Sequence, residues 1–257
     1  MPVSKVLKAT ISKDVAIDGS NEDSYCLRLN APVPRAAVFD GASESYAARK
    51  WSKLVAEEWG RKHDKDWGWI DRAQMRYERN SNKSGLSWAQ EVASDRGSFA
   101  TVCYVDIEGE WLNFCAVGDS CMFLIDGKEI TFSYPYVSET QFTSAPMAVS
   151  SRLDNLKMNR DNLHMGMDRI RFRAIGTKLI LLATDAVSCW LLADDQEIRA
   201  ARLVQLLNCK TPVEFQQMVL EERANKNMHV DDSTVVLLGV ANAISNDRAI
   251  HGGFAIS

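Results

Sequence analysis

Apolar residues in this chain follow two rhythms. Short runs that alternate or go unbroken read as strands: 6–12, 24–29, 36–39, 99–107, 111–117, 121–125, 178–183 and 233–240. Elsewhere the period lengthens. Ala47, Ala48, Trp51, Leu54, Val55 and Trp59 recur at helical spacing, with Arg49, Lys50, Lys53 and Glu57 mainly opposite, which predicts a helix over 45–61. A second helix is expected over 67–79, then a polar loop and a helical turn near Trp88. Residues 196–207 and 211–223 read as amphipathic helices, and Pro212 suits the first turn of the latter. Residues 134–176 are poor in apolar positions and read as a surface excursion with a short helix or two. Residues 241–257 read as a loose tail.

Turn chemistry orients these strands. Glu108-Gly109 and Asp126-Gly127 close two of the runs, and Asp-Gly is a strong hairpin signal. Consecutive strands joined by tight turns pair antiparallel. The order strands, helices, strands, helices, strand therefore predicts an α+β fold, with helices packed on antiparallel sheet.

Composition adds exclusions. A chain of 257 residues is long enough for a sizeable core, and 1–240 is expected to form one domain ahead of the tail. Apolar and charged fractions of 46% and 25% are those of an ordinary soluble protein. A formal net charge of −4 argues against nucleic acid and anionic membrane as partners. No apolar run reaches membrane-helix length, and the first residues lack a signal-peptide pattern. The six cysteines form no C-x-x-C pair, and Cys103, Cys115, Cys121 and Cys189 lie in apolar segments. They read as reduced core thiols of a cytoplasmic protein. Five of seven tryptophans fall between 51 and 88, among interleaved acids and bases that leave no basic stripe for nucleic-acid stacking. Trp51 and Trp59 belong on the core face. Trp67, Trp69 and Trp88 are candidates for a partner-docking surface.

The candidate chemistry lies where the apolar runs end. Asn21-Glu22-Asp23 precedes 24–29, Asp40 closes 36–39, Asp119 follows 111–117, Asp185 follows 178–183, and Asp231-Asp232 opens 233–240. One such carboxylate caps a turn or a helix. Five sets at strand ends supply hard oxygen ligands at a sheet edge, as Mg²⁺ or Mn²⁺ requires. The pattern points to a metal-dependent hydrolase of phosphate esters.

In order along the chain stand Asn21-Glu22-Asp23-Ser24, Val38-Phe39-Asp40-Gly41, Gly97-Ser98-Phe99-Ala100-Thr101, Val117-Gly118-Asp119-Ser120, Ala183-Thr184-Asp185 and Asp231-Asp232-Ser233-Thr234-Val235. This set resembles the motifs of the PP2C-type (PPM) serine/threonine protein phosphatases, in a divergent bacterial branch, over roughly residues 8–240. The resemblance implies a four-layer α–β–β–α sandwich, with the metal centre at one edge of two antiparallel sheets. By carry-over, Asp40 bridges two Mn²⁺ or Mg²⁺ ions and the Gly41 carbonyl ligates one of them. Asp185 and Asp231 complete one metal shell, with Asp232 in the same ligand set. Glu22 holds waters of the second ion, Asp23 supports the site, and Asp119 matches the position of a third, weaker metal. Asp40, Asp185 and Asp23 would be the catalytic carboxylates. A metal-bridging hydroxide would hydrolyse a phosphoserine or phosphothreonine ester of a protein substrate, opposed by a Ser/Thr kinase.

Three positions depart from the pattern. Asp18 stands where many members carry a phosphate-gripping Arg, so Lys13, Arg28 and Arg35 become the candidate phosphate ligands, Lys13 first among them. Ala42 stands where many eukaryotic members have His, and Ala186 replaces the Gly after the motif Asp. Two other functions stay open on the same fold: a catalytically weak phosphoprotein-binding regulatory module, and a hydrolase of small phosphate esters.

Overall fold

A computed structural model describes residues 3–17, 19–62, 67–80, 85, 87–142, 146–171 and 179–240. Asp18, the loop after 80 and the tail 241–257 lie wholly or mainly outside the described residues. In chain order the elements are β1 (Val3–Ile11), β2 (Ser24–Arg28), β3 (Arg35–Gly41), α1 (Ala48–Arg61), α2 (Gly68–Arg79), α3 (Trp88–Arg96), β4 (Phe99–Glu108), β5 (Trp111–Val117), β6 (Cys121–Asp126) and β7 (Glu129–Tyr134). They continue with β8 (Val149–Ser150), α4 (Leu156–Met165), β9 (Met167–Arg171), β10 (Leu179–Ala183), α5 (Asp185–Leu191), α6 (Gln196–Asn208), α7 (Pro212–Ala224) and β11 (Ser233–Val240).

Alternation along the strands decides the layering. In β3, Ala36 and Val38 point one way, into a cluster with Cys103, Phe114, Leu124 and Leu182. Ala37 and Phe39 point the other way, against Trp51, Val55 and Trp59 of α1. In β10, Ile180 and Leu182 join the first cluster. Leu181 and Ala183 instead pack on Val187 and Trp190 of α5, Leu206 of α6 and Phe215 of α7. The central strands are thus buried on both faces, which is why their sequences run apolar without a break. Two sheets share the middle cluster. One has the order β1-β11-β10-β6-β7, the other β2-β3-β4-β5-β9 with β8 on β4, and all their pairings are antiparallel. With α1 and α2 on one outer face and α5, α6 and α7 on the other, the architecture is the expected α–β–β–α sandwich.

Local chemistry sets the helix starts. Thr211 and Glu214 close a capping box with Pro212 in the first turn of α7, and Ser87 and Gln90 do the same for α3. The buried Glu58 of α1 accepts from Arg61 at 3.0 Å and from Arg72 and Arg76 of α2 at 3.2 and 2.7 Å. The acids and bases interleaved in this segment therefore hold two helices together.

Several expectations need correction. The excursion carries α4, but it also contributes β8 and β9, so it is partly sheet. Strand β7 and helix α5 were not predicted. Trp69 is fully buried and Trp67 half-buried on the core under α1 and α2, so neither forms a docking surface; only Trp88 is exposed, at 79%. All six cysteines are free, and Cys189 is half-buried where a core thiol was expected. Among the described residues, no helix is long and apolar enough to cross a membrane.

Trp59 sits at zero exposure between Phe39 and Tyr104, with ring centroids 6.3 and 5.7 Å away. Trp59→Ala is expected to cost about 3–5 kcal/mol in chemical denaturation. Trp88→Ala is expected to stay within about 0.5 kcal/mol.

Candidate functional site

The strand register brings the acidic motifs to one end of the sandwich. Ala183, the last residue of β10, pairs with Val235 near the start of β11 and with Cys121 at the start of β6. In the other sheet, Asp40 pairs with Thr101 near the start of β4, and Phe39 pairs with Ser24 at the start of β2. Asp185, Asp231, Asp232, Asp119, Asp40 and the Asn21–Asp23 turn therefore share one edge.

Tight packing positions each of them. A Cβ on Gly41 would come within 2.9 Å of the Ala48 carbonyl group and of the Glu22 carbonyl oxygen, so only glycine lets α1 begin beside the Glu22 turn. Gly118 has φ +101° and lies against Thr101 and the Met147 carbonyl oxygen. That turn carries the chain from one sheet to the other, and it delivers Asp119 at 5% exposure. Asp232 is buried and ties two turns together, accepting from the backbone N–H of Lys13 at 2.7 Å and of Glu22 at 2.6 Å. The Thr184 hydroxyl donates to Asp23 Oδ2 at 2.9 Å and accepts from the Thr234 N–H at 2.9 Å. Asp185, the first residue of α5, accepts from the Ala186 N–H at 2.6 Å. The Arg223 guanidinium donates to the Ser12 and Asp231 carbonyls and to the Ser233 hydroxyl, which fixes the approach to β11.

The electrostatics are those of crowded acids. Burial, followed by the negative charges of Asp23, Asp185, Asp119 and Asp231, holds the Asp40 carboxyl well above its ordinary range. Burial, with Asp232 and Asp185 adding to it, does the same to Asp23. Asp185 is pushed up to about 7 by burial and by Asp119 and Asp231, and Asp119 to about 6, mainly by burial. Asp23 Oδ1 and Asp119 Oδ1 are buried without a hydrogen-bond partner. Such a cluster calls for positive charge. Two cations of the chain stand here, Arg223, held on backbone carbonyls and the Ser233 hydroxyl, and Lys13, which pairs with the carboxylates. Its ammonium lies 2.8 Å from Glu22 and 3.8 Å from Asp231 and also donates to Ser43, whose hydroxyl binds Glu22 at 2.6 Å.

The orphaned oxygens and mutually raised carboxyls fit divalent cations. Among the described residues, no three His, Cys, Asp or Glu side chains close into a ready-made metal cage. The carboxylates instead line an edge where water would fill the remaining ligand positions. Sequence reasoning missed Thr184, Ser43 and Arg223. Thr184 stands in a quoted motif, but neither Ser43 nor Arg223 carries a distinguishing signal.

No family profile and no curated protein sequence matches the chain. Solved structures do match. A bacterial serine phosphatase superposes with a TM-score of 0.58 at 16% identity, over 94% of this chain and 98% of that one. The chain has the PP2C phosphatase fold. The serine/threonine phosphatase Stp1 from Staphylococcus aureus gives 0.53 at 15% identity, over 93% and 96%. The catalytic domain of the serine/threonine protein phosphatase PstP, in complex with two manganese ions, gives 0.52 at 16% identity, over 93% and 99%. On this PP2C fold the carboxylate edge lies at the strand ends where the sequence motifs predicted it.

The raised carboxyls have a consequence for stability. Asp185 takes up protons near pH 7 when folded but near its ordinary 3.8 when unfolded. Between those values the folded chain binds more protons, so stability falls as pH rises. In EDTA the melting temperature is expected to drop between about pH 5 and pH 7.5. Asp185→Asn should stabilise the metal-free protein at the upper pH by about 1–2 kcal/mol, or roughly 4 °C. That gain should vanish near pH 4, which differential scanning calorimetry reads directly.

Proposed function

We propose that this chain is a protein phosphatase that uses Mn²⁺ or Mg²⁺ to hydrolyse phosphoserine and phosphothreonine esters. The observation that carries the reading is the gathering of Asp23, Asp40, Asp119 and Asp185 at one sheet edge, where burial and neighbouring acids, Asp231 among them, raise their carboxyls. The shared fold with serine/threonine phosphatases, one of them solved with two manganese ions, supports it.

In this reading Asp40, the Gly41 carbonyl, Asp185, Asp231 and Asp232 would hold the principal cations. Glu22 and Asp119 would serve further cations at the same edge. When bound, these cations supply an activated water and neutralise the phosphoryl charge. The chain's own residues do the positioning. Thr184 orients Asp23, Asp232 clamps the Lys13 and Glu22 turns, and Arg223 holds the Asp231 backbone. Lys13 is the cation of the chain nearest the acidic edge. Its ammonium would be available to the substrate phosphate where cations neutralise Glu22 and Asp231. A Ser/Thr kinase is the corresponding opposing activity.

The test is hydrolysis of p-nitrophenyl phosphate. Turnover is expected with Mn²⁺, lost in EDTA, and lowered at least about 100-fold in Asp40→Asn. Absence of turnover in folded, manganese-bound protein would overturn the reading. Lys13→Met is expected to raise KM about tenfold while kcat changes less than about threefold. A loss confined to kcat would remove Lys13 from phosphate binding.

A further inference from the structure

Beside the acidic edge lies a groove of opposite character. Strand β1 ends one sheet and β2 ends the other, so both are edge strands, and α1 lies over β2. Between them opens a groove of about 570 Å³. Its floor includes Tyr25, Leu27 and Ala56, and its rim carries Lys8, Arg28, Arg49 and Lys53, all four exposed. Asn21 and Asp23 form its end wall, so the groove shares a turn with the carboxylate cluster.

The rim is positive although the chain is negative overall. Among the described residues, Lys8, Arg28, Arg49 and Lys53 have no ion-pair partner. The one rim carboxylate, Glu57, is already bound by Arg76 at 3.1 Å. Lys8 rests over the Tyr25 ring at 5.2 Å, and Arg28 donates to the Gly60 carbonyl at 2.9 Å, which leaves further N–H donors free for a ligand. The outer edge of β2 pairs with no strand among the described residues. Its five residues give an extended wall of roughly 16 Å, suited to a peptide in strand conformation.

We propose that this groove seats an extended acidic segment of the phosphoprotein substrate. Carboxylates of that segment meet Lys8, Arg28, Arg49 and Lys53, while the phosphorylated residue reaches the cluster around the Asn21–Asp23 turn. The assignment deepens the phosphatase reading and rests on it. It makes the enzyme selective for phosphosites flanked by Asp or Glu. An acidic flank laid directly on the catalytic edge would be repelled; laid in the groove, it is attracted.

Two fluorescein-labelled phosphoserine peptides test this, one flanked by Glu and Asp, the other by Gln and Asn. Their binding is read by fluorescence anisotropy on Asp40→Asn protein with Mn²⁺, alone and combined with Lys8→Glu, Arg49→Glu and Lys53→Glu. The acidic peptide should bind about tenfold tighter, and the three reversals should erase that difference. In the otherwise native chain the reversals should leave hydrolysis of p-nitrophenyl phosphate unchanged. Equal binding of the two peptides, or a preference that survives the reversals, overturns the groove. So does equal competition by a single-stranded oligonucleotide of the same charge, which would mark a general anion surface. The two proposals fail separately. Charge-dependent peptide binding without turnover of p-nitrophenyl phosphate keeps the groove and sinks the phosphatase; turnover with indifferent peptide binding does the reverse.

Discussion

Repulsion among carboxylates gathered at one edge of two sheets is the constraint on which the rest of this structure turns. Asp23, Asp40, Asp119 and Asp185 each stand where burial disfavours charge, and neighbouring acids disfavour it further. Left alone, such an edge costs stability at neutral pH. The fold nonetheless holds the acids in place with threonine, aspartate and arginine contacts that have no role in an ordinary core. The chain itself offers this edge two positive charges, Lys13 and Arg223, against its cluster of acids.

The sandwich is what makes that cost tolerable. Its central strands bury both faces, so their ends are rigid platforms, and antiparallel pairing brings starts and finishes of different strands to one side. Small residues complete the geometry where backbones nearly touch, with Gly41 under α1 and Gly118 at the crossing between sheets. The fold also sets opposite charges side by side. The acidic edge and the basic groove share the Asn21–Asp23 turn, one suited to cations and the other to an acidic chain.

Much of this was legible in the chain. Unbroken apolar runs marked β3, β4, β6, β10 and β11 because those strands are buried on both faces. Acids at the ends of those runs marked the edge at which the antiparallel register brings them together. The outermost strands β7 and β9 were not predicted, for different reasons. Residues of β9 are almost all exposed, so Met167–Arg171 carries no apolar rhythm, whereas β7 alternates Ile130, Phe132 and Tyr134 with polar residues, a strand signal that was passed over. Helix α5 is short and buried on nearly every side, which hides the helical period. Trp69 was misread because its neighbours are charged, yet those charges pair around Glu58 and leave the ring to the core. Arg223 and Ser43 reach the site from a helix end and a loop, positions that only tertiary structure brings near.

The account stands or falls on the carboxylates being a cation site that holds protons when empty. Asp119 near 6 and Asp185 near 7 are partly protonated at about pH 6.5, so divalent binding must displace protons. Calorimetric titration of Mn²⁺ at that pH, in two buffers of different ionisation enthalpy, measures this directly. The account predicts binding whose heat shifts with the buffer in the sense of net proton release. Binding heats that do not depend on the buffer, or no binding at all, would contradict it.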